Sequence, residues 1–302
     1  MLQNLTGSEA GQLRYTILVN PISGSLSLER KKRIVETCAE ILGSETRVEG
    51  WSTKSPQELS DLAVHLAREC DVLVVAGGDG TLSDVINAVG DGVVLGFIPL
   101  GSGNAWRNTL GLPRSPEKIA LMIKNGSERL CDLVEIAGAR RALLTSIGIE
   151  GYALRDREKY LKMGMRGFNA YMAAAIKSAV TRKKVGHTII SIDGKTFELR
   201  NVLSVIVTKT PYYGYGFRVV PGAKIDDGML HVLVVYGEPY TVLPNILVTS
   251  MLGGNRFGQY LACRSLVVET EELAPLQADG NIICVDVKFE FRVIPKAVTL
   301  RC

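Results

Sequence analysis

The chain has 302 residues, of which 46% are apolar and 22% are charged, so it can bury a large core and long disordered segments are not expected. The 35 basic residues against 31 acidic ones give a net charge of +4, which is too small for a protein that holds duplex DNA by charge, and we expect no nucleic-acid partner. The sequence shows no signal peptide, no apolar run long enough to span a membrane and no CxxC pair, which favours a reducing cytoplasm.

Short apolar runs alternate with helical patterns over the first part of the chain. The runs predict strands at 15–20, 46–51, 71–76 and 93–100, and the helical patterns cover 27–42, 56–69, 81–89 and 117–125. Continuous apolar strands that alternate with helices are typical of a doubly wound parallel sheet. Ligands of such sheets bind at the carboxyl ends of the strands.

Beyond Cys131 the pattern changes to many short strands separated by Gly, Asp-Gly and Asn-Gly turns. This pattern predicts a second, antiparallel domain, which we expect to be a β-sandwich. One helix is predicted inside it, at about 167–181. No long linker separates the two parts, so we expect them to pack together with a cleft between them, as domains 1–131 and 132–295.

Three glycine-rich turns follow strands of the first domain, at 20–25, 77–81 and 99–104. Glycines let backbone N–H groups approach phosphate oxygens, and the following helix N-termini favour anions. Asp79 would bring a carboxylate to the same place, where it can hold Mg²⁺, and Thr81 is the expected N-cap of the next helix. Each turn taken alone can be a plain connection, but three together favour nucleotide phosphate binding. No Walker-A motif and no GxGxxG turn is present.

The stretches VVAGGDGTLSDVINAV and GFIPLGSGNAWRNTLGLP resemble the catalytic domain of diacylglycerol, sphingosine and ceramide kinases and of the small bacterial lipid kinases. The first turn also resembles NAD kinases, whereas PLGSGN is specific to the lipid kinases. SIGIEGYALRDREKYLKMG, YYGYGFRVVPGAKIDDGMLHVLVV and LQADGN extend the resemblance over about residues 14–302. It implies an NAD kinase-like α/β domain, completed by a last strand at 296–302, a β-sandwich, and an active site in the cleft between them.

The resemblance also implies ATP and Mg²⁺ as cofactors and assigns roles to individual residues. Asp279 matches the general base that acts on the lipid hydroxyl, Asp79 a catalytic and metal-ordering carboxylate, and Asp226 and Asp227 an acidic turn tied to a structural Mg²⁺. The same acidic turn can equally be a plain hairpin. The residues expected to contact the nucleotide or cradle its phosphates are Asn20, Ser23, Gly24, Thr53, Gly77, Gly78, Asp79, Gly80, Thr81, Gly101, Gly103 and Asn104.

The implied activity is transfer of a phosphoryl group to the hydroxyl of a membrane lipid, with a glycerolipid such as diacylglycerol first and a sphingoid base second. Lys159, Lys162 and Arg166 could add charge at the γ-phosphate or simply form a solvated face. The residues that could line an acyl-chain cleft are Ile147, Ile149, Tyr152, Met163, Met165, Phe168, Tyr171, Met172 and Ile176.

Some positions depart from the family pattern, and they keep other functions open. Asn281 replaces the Glu of the usual Asp-Gly-Glu turn, and Leu154 lies in the stretch where sphingosine kinases carry an Asp for the lipid amino group. An NAD kinase-type enzyme with a soluble acceptor is one alternative. A nucleotide- or lipid-binding regulator with weak or no catalysis is another. Peripheral association with a membrane and a homodimer are further expectations that the sequence leaves open.

Overall fold

The first part of the chain folds as parallel strands that alternate with helices. The computed structural model describes residues 13–138, 140–165, 173–174, 177–178, 181 and 184–302. The strands are β1 Tyr15–Val19, β2 Arg47–Glu49, β3 Val72–Gly77 and β4 Val94–Pro99, and the helices are α1 Leu28–Leu42, α2 Pro56–Leu66, α3 Asp79–Val89, α4 Ala105–Leu110 and α5 Pro116–Asn125.

The strand order is β4-β3-β1-β2, and every neighbouring pair is parallel. Strands β1 and β3 are buried along their whole length, as expected for apolar strands covered by helices on both faces. Serine side chains at positions 27, 55 and 115 cap helices α1, α2 and α5 by accepting backbone N–H groups of the first turn. Because the strands are parallel, the turns after β1, β3 and β4 all lie at one edge of the sheet.

The second part is built from antiparallel strands. They are β5 Glu128–Ile136, β6 Arg140–Ala142, β7 Leu144–Gly148, β8 Gly186–Ile192, β9 Lys195–Thr208, β10 Leu230–Tyr236, β11 Gln259–Cys263 and β12 Ser265–Ala278. Among the residues that the structure describes, they are accompanied by the helices α6 Ile149–Lys162 and α7 Pro239–Met251 and by a 3₁₀ turn at Gly214–Gly216. Most of the helix predicted at 167–181 lies outside the described residues.

The last strand, β13 Asn281–Arg301, joins the two parts. It pairs antiparallel with β12 and β5, and near its end Thr299 and Leu300 pair in parallel with β4. Phe289 and Phe291 belong to the core of the second part, whereas Leu300 belongs to the core of the first. The predicted fold class, a parallel α/β domain plus an antiparallel β domain, is confirmed, while the boundary at 131/132 stays a prediction.

One local prediction is wrong. Thr81 does not cap α3, because the helix begins two residues earlier, at Asp79, with Gly78 as the N-cap residue. Thr81 therefore lies in the first helical turn, where its side chain is buried and its Oγ1 accepts a hydrogen bond from Asn20 Nδ2 at 2.9 Å. The hydroxyl thus joins the first glycine turn to the first turn of α3.

Candidate active site

The three glycine turns meet at the carboxyl edge of the parallel sheet. A Cβ on Gly101 would lie 2.7 Å from the Cα of Gly78, and a Cβ on Gly24 would overlap the carbonyl oxygen of Leu100. Both glycines are therefore required by close approach of one turn to another. Gly77 is equally confined, because a Cβ there would lie 2.7 Å from the side chain of Thr81. The turns form a continuous surface of backbone that has little side chain on it.

The other predicted residues of the first turn support this surface from behind. The backbone N–H of Asn20 donates to the carbonyl of Ala76 at 2.9 Å, and Ser23 Oγ donates to the carbonyl of Asn20 at 3.1 Å. Thr53 is not brought to the cavity described below. Its hydroxyl donates to the carbonyl of Gly50 at 2.7 Å, in the loop that follows the edge strand β2.

Asp79 joins the second turn to the third. Its two carboxylate oxygens accept hydrogen bonds from the backbone N–H groups of Ala105 at 3.0 Å and Trp106 at 3.1 Å. These N–H groups lie at the start of α4, where backbone donors have no acceptor within the helix itself. Burial raises the pKa of this carboxyl group, and the N–H groups oppose that rise. Asn104, at the start of the same helix, has a left-handed backbone, and its buried Oδ1 has no hydrogen-bond partner among the described residues.

Asp279 lies in the tight turn between β12 and β13, with a left-handed backbone (φ of 47°). Its Oδ2 accepts hydrogen bonds from the Ser83 hydroxyl at 2.7 Å and from the Leu143 N–H at 3.2 Å, and its Oδ1 accepts the Leu144 N–H at 3.0 Å. Burial is the main cause that raises the pKa of this carboxyl group to about 6, and the three donors limit the rise. Asp279 is thus a carboxylate held in one orientation and ionised at neutral pH.

A cavity of about 380 Å³ lies between the glycine turns and the antiparallel sheet. Asp79 and Asp279 both line it. The opposite wall carries aromatic residues of the segment 212–217, whose Tyr215 N–H donates to the carbonyl of Gly103 at 2.8 Å. The remaining described lining residues are Gly24, Gly78, Gly80, Gly101, Ser102, Gly103, Ala105, Trp106, Leu143, Leu144, Leu154, Arg157, Gln277, Gly280 and Asn281.

Arg157 is the one cationic side chain among the described residues that line this cavity. It lies one helical turn after Leu154 on the same face of α6, and its buried Nε has no hydrogen-bond partner in the described part of the chain. The cations suggested from the sequence are placed elsewhere or lie outside the description. Lys159 is exposed and pairs with Asp156, whereas the side chains of Lys162 and Arg166 lie outside the described residues. The helical spacing from Leu154 could have identified Arg157.

The acidic turn at Asp226 and Asp227 is neutralised by the chain itself. Asp226 pairs with Arg129 at 3.0 Å, and Asp227 pairs with the ammonium group of Lys209 at 2.7 Å. Lys209 is fully buried, and the same ammonium group also contacts Asp132 at 3.1 Å and the Met229 carbonyl at 2.5 Å.

Burial acts to raise the pKa of Asp227, but the hydrogen bond from Lys209 and the nearby charges outweigh it and hold that pKa below its usual range. The described residues contain no cluster of three or more side chains suited to a metal. The geometry therefore does not favour the predicted metal at Asp226 and Asp227, because Arg129 and Lys209 already supply positive charge to these two carboxylates.

The site as a whole is suited to a phosphate ester beside a hydroxyl. The glycine surface leaves room for phosphate oxygens, and α3 and α4 begin at it with helix N-termini. Asp279 offers a base, Arg157 a positive charge, and the cavity wall offers apolar and aromatic side chains.

Comparisons with known protein families divide the chain into two matching segments. Residues 14–136 match the family described as diacylglycerol kinase catalytic domain. Residues 145–302 match the family described as YegS C-terminal NAD kinase beta sandwich-like domain, which is more than half of the chain. Together the two matches cover the glycine turns, Arg157 and Asp279.

Relatives and solved structures cover nearly the whole chain. A diacylglycerol kinase of Bacillus subtilis strain 168 is 26% identical over 276 residues, which are 89% of this chain and 89% of the relative. A diacylglycerol kinase from Bacillus anthracis strain Sterne has a similar fold, with a TM-score of 0.75, 22% identity, and 95% and 96% of the two chains covered. An NAD kinase from Archaeoglobus fulgidus in complex with ATP shares the fold at a TM-score of 0.53 and 16% identity, with 96% and 94% covered.

Proposed function

Because the chain belongs to the diacylglycerol kinase catalytic-domain family, a family of lipid kinases, we propose that it phosphorylates a membrane glycerolipid. It would transfer the γ-phosphoryl group of ATP to a hydroxyl of that lipid, and diacylglycerol is the first candidate substrate. One observation carries the proposal. The glycine surface, Arg157 and the oriented carboxylate of Asp279 all face a single cavity whose other wall is largely apolar.

ATP would bind with its phosphates on the glycine surface. The close approach of Gly101 to Gly78 and the orphaned Oδ1 of Asn104 both fit a polar ligand there. Asp79 and Asn104 would hold a Mg²⁺ ion together with the phosphates, because this ion is commonly bound by one or two protein oxygens, waters and phosphate oxygens. When bound, the ion neutralises phosphate charge.

Asp279 would act as the general base. A carboxyl group with a pKa of about 6 is ionised at pH 7 and above, so it is ready to accept the proton of the acceptor hydroxyl. Ser83, Leu143 and Leu144 fix both of its oxygens, which removes the need to orient it during the reaction. Arg157 would stabilise the charge that develops on the transferred phosphoryl group.

The charges around the cavity favour a lipid substrate whose head group is uncharged. Among the described lining residues, Asp79 and Asp279 are the only carboxylates, and each already accepts backbone N–H groups. The ammonium group of a sphingoid base would therefore lack a carboxylate of its own among these residues. Glu150 does not replace one, since it is absent from the described lining residues and accepts a hydrogen bond from Ser204 at 2.6 Å.

The test is phosphorylation of diacylglycerol and sphingosine in mixed micelles with labelled ATP. We expect kcat/KM for diacylglycerol to exceed that for sphingosine by about tenfold or more, because the cavity has no dedicated partner for an ammonium group. The Leu154→Asp variant provides a matched control, since it adds a carboxylate at the cavity and should narrow this difference. Preference of the wild type for sphingosine, or no labelled lipid at all, would contradict the proposal.

A further inference from the structure

Helix α7 is exposed along a face that has no charge. From Pro239 through Asn255 the sequence contains no acidic, basic or histidine residue. Tyr240, Pro244 and Val248 lie four residues apart and are exposed, and Met251 and Leu252 follow with 67% and 82% exposure. We call these five side chains the outer face of α7. A surface helix ordinarily carries charged residues on this side, so an exposed apolar face indicates a binding surface.

The inner face of the same helix packs on the hydrophobic cluster that also supports the wall of the candidate active site. Val242 and Ile246 contact the hydrophobic cluster that also includes Tyr213 and Phe217 of the cavity wall. The backbone N–H of Arg218 donates to the carbonyl of Ser250 at 3.2 Å, which joins the aromatic segment to the end of α7. The outer face is therefore part of the same structural unit as the cavity that would receive the acyl chains.

Positive charge lies at the end of α7 where the apolar face is most exposed. Arg218 and Arg256 are both exposed, and the backbone N–H of Asn255 donates to the carbonyl of Arg218 at 2.8 Å, so both arginines lie close to this end. Apolar side chains beside exposed cations are the combination that binds an anionic bilayer surface. The helix has 13 residues and measures about 20 Å, which is too short to cross a bilayer.

We propose that the outer face of α7 docks the protein on the surface of an anionic phospholipid bilayer, with α7 parallel to the membrane and the cavity beside the lipid layer. The proposal rests on the proposed function, since a diacylglycerol substrate resides in a bilayer. Met251 and Leu252 enter the boundary between head groups and acyl chains, and Arg218 and Arg256 contact lipid phosphates.

The test compares the wild type with a Met251→Asp/Leu252→Asp double variant in sedimentation with mixed phosphatidylcholine and phosphatidylglycerol vesicles, without ATP. We expect at least about tenfold weaker binding of the double variant, because two apolar side chains no longer leave water. Arg256→Gln should weaken binding about fivefold and only on vesicles that contain phosphatidylglycerol. Leu121→Asp, at an exposed leucine on α5, is the matched control and should bind as the wild type does.

Activity separates this inference from the proposed function. The double variant should phosphorylate a short-chain diacylglycerol dispersed in water as fast as the wild type does, and lose activity only on long-chain diacylglycerol in vesicles. Vesicle binding that is unchanged in the double variant would overturn the docking surface. A wild type that does not bind vesicles but forms a dimer, together with a monomeric double variant, would overturn the membrane-docking proposal. The outer face of α7 would then be an interface between two copies of the chain. No activity on either diacylglycerol, with vesicle binding intact, would contradict the proposed function and leave the docking surface supported.

Discussion

The substitution Asp279→Asn tests the general base with little change in shape. The backbone at this position is left-handed, with φ of 47°, and asparagine adopts this conformation about as readily as aspartate does. The asparagine carbonyl can still accept the Leu144 N–H, and the Ser83 hydroxyl can turn to accept from the amide nitrogen, but that nitrogen cannot accept the Leu143 N–H. One unsatisfied buried donor costs about 1–3 kcal/mol.

A second contribution to the stability of the variant relative to the wild type has a similar size and the opposite sign. The pKa of Asp279 is raised from 3.8 to about 6, and two units correspond to about 3 kcal/mol. Because the folded-state pKa is the higher one, the wild type loses this stability as the pH rises from about 4 through about 6. The asparagine variant does not lose it. We therefore expect the Tm of the variant, relative to that of the wild type, to increase with pH and to lie within a few degrees of it near pH 8.

Activity should respond far more strongly than stability. Loss of a general base typically lowers kcat by about 10²–10⁴, and the KM for ATP should stay within about threefold. The base must be ionised, so kcat/KM of the wild type for diacylglycerol should fall below a pKa of about 6. Initial rates in mixed micelles between about pH 5 and pH 9 give the loss of kcat in the variant and the pKa of the acidic limb in the wild type. Ser83→Ala is the control, because it keeps the carboxylate and removes one hydrogen-bond donor to it. The pKa of Asp279 should therefore rise, and the acidic limb of the pH–rate profile should shift to higher pH. Activity of Asp279→Asn within about threefold of the wild type would refute the assignment.

Two further substitutions probe the cations of the structure. Arg157→Leu should lower kcat/KM about 10²-fold in a steady-state assay, because the positive charge at the phosphoryl group is lost. The control Lys159→Leu, at an exposed lysine, should retain activity within about twofold. Equal effects of the two substitutions would contradict the role of Arg157. Lys209→Met should lower the Tm by roughly 5–10 °C, because it leaves the carboxylates of Asp132 and Asp227 without their shared buried cation. Lys288→Met, at an exposed ion pair, should change the Tm by about 1 °C or less in the same scanning calorimetry, and a similar loss in both variants would contradict this account.

The sequence predicted the parts of the fold that depend on local pattern. The alternation of buried strands and amphipathic helices predicted the parallel domain, and the short strands with Gly turns predicted the antiparallel one. Both predictions are confirmed, as is the resemblance to the lipid kinase family. The position of glycines directly after parallel strands was enough to predict that the three turns would lie at one edge of the sheet.

The features that were missed depend on contacts between distant segments. Thr81 was expected to cap α3, but the helix begins at Asp79, whose carboxylate bonds to the start of α4. The sequence leaves a metal site and a plain hairpin equally open at Asp227, and it does not reveal that Lys209 reaches this carboxylate from the end of β9. Residue type does not distinguish Arg157 from the other basic residues of α6, and its spacing from Leu154 points to the cavity only once Leu154 is known to line it.

The most direct test of the central claim is transfer of label from γ-labelled ATP to a panel of acceptors. Diacylglycerol, sphingosine and ceramide would be presented in mixed micelles, with NAD as the soluble acceptor. We predict a labelled product of diacylglycerol whose formation is lost in Asp279→Asn. Label found only in NADP would contradict a lipid kinase, and the absence of any labelled product while ATP still binds would indicate a regulator without catalysis.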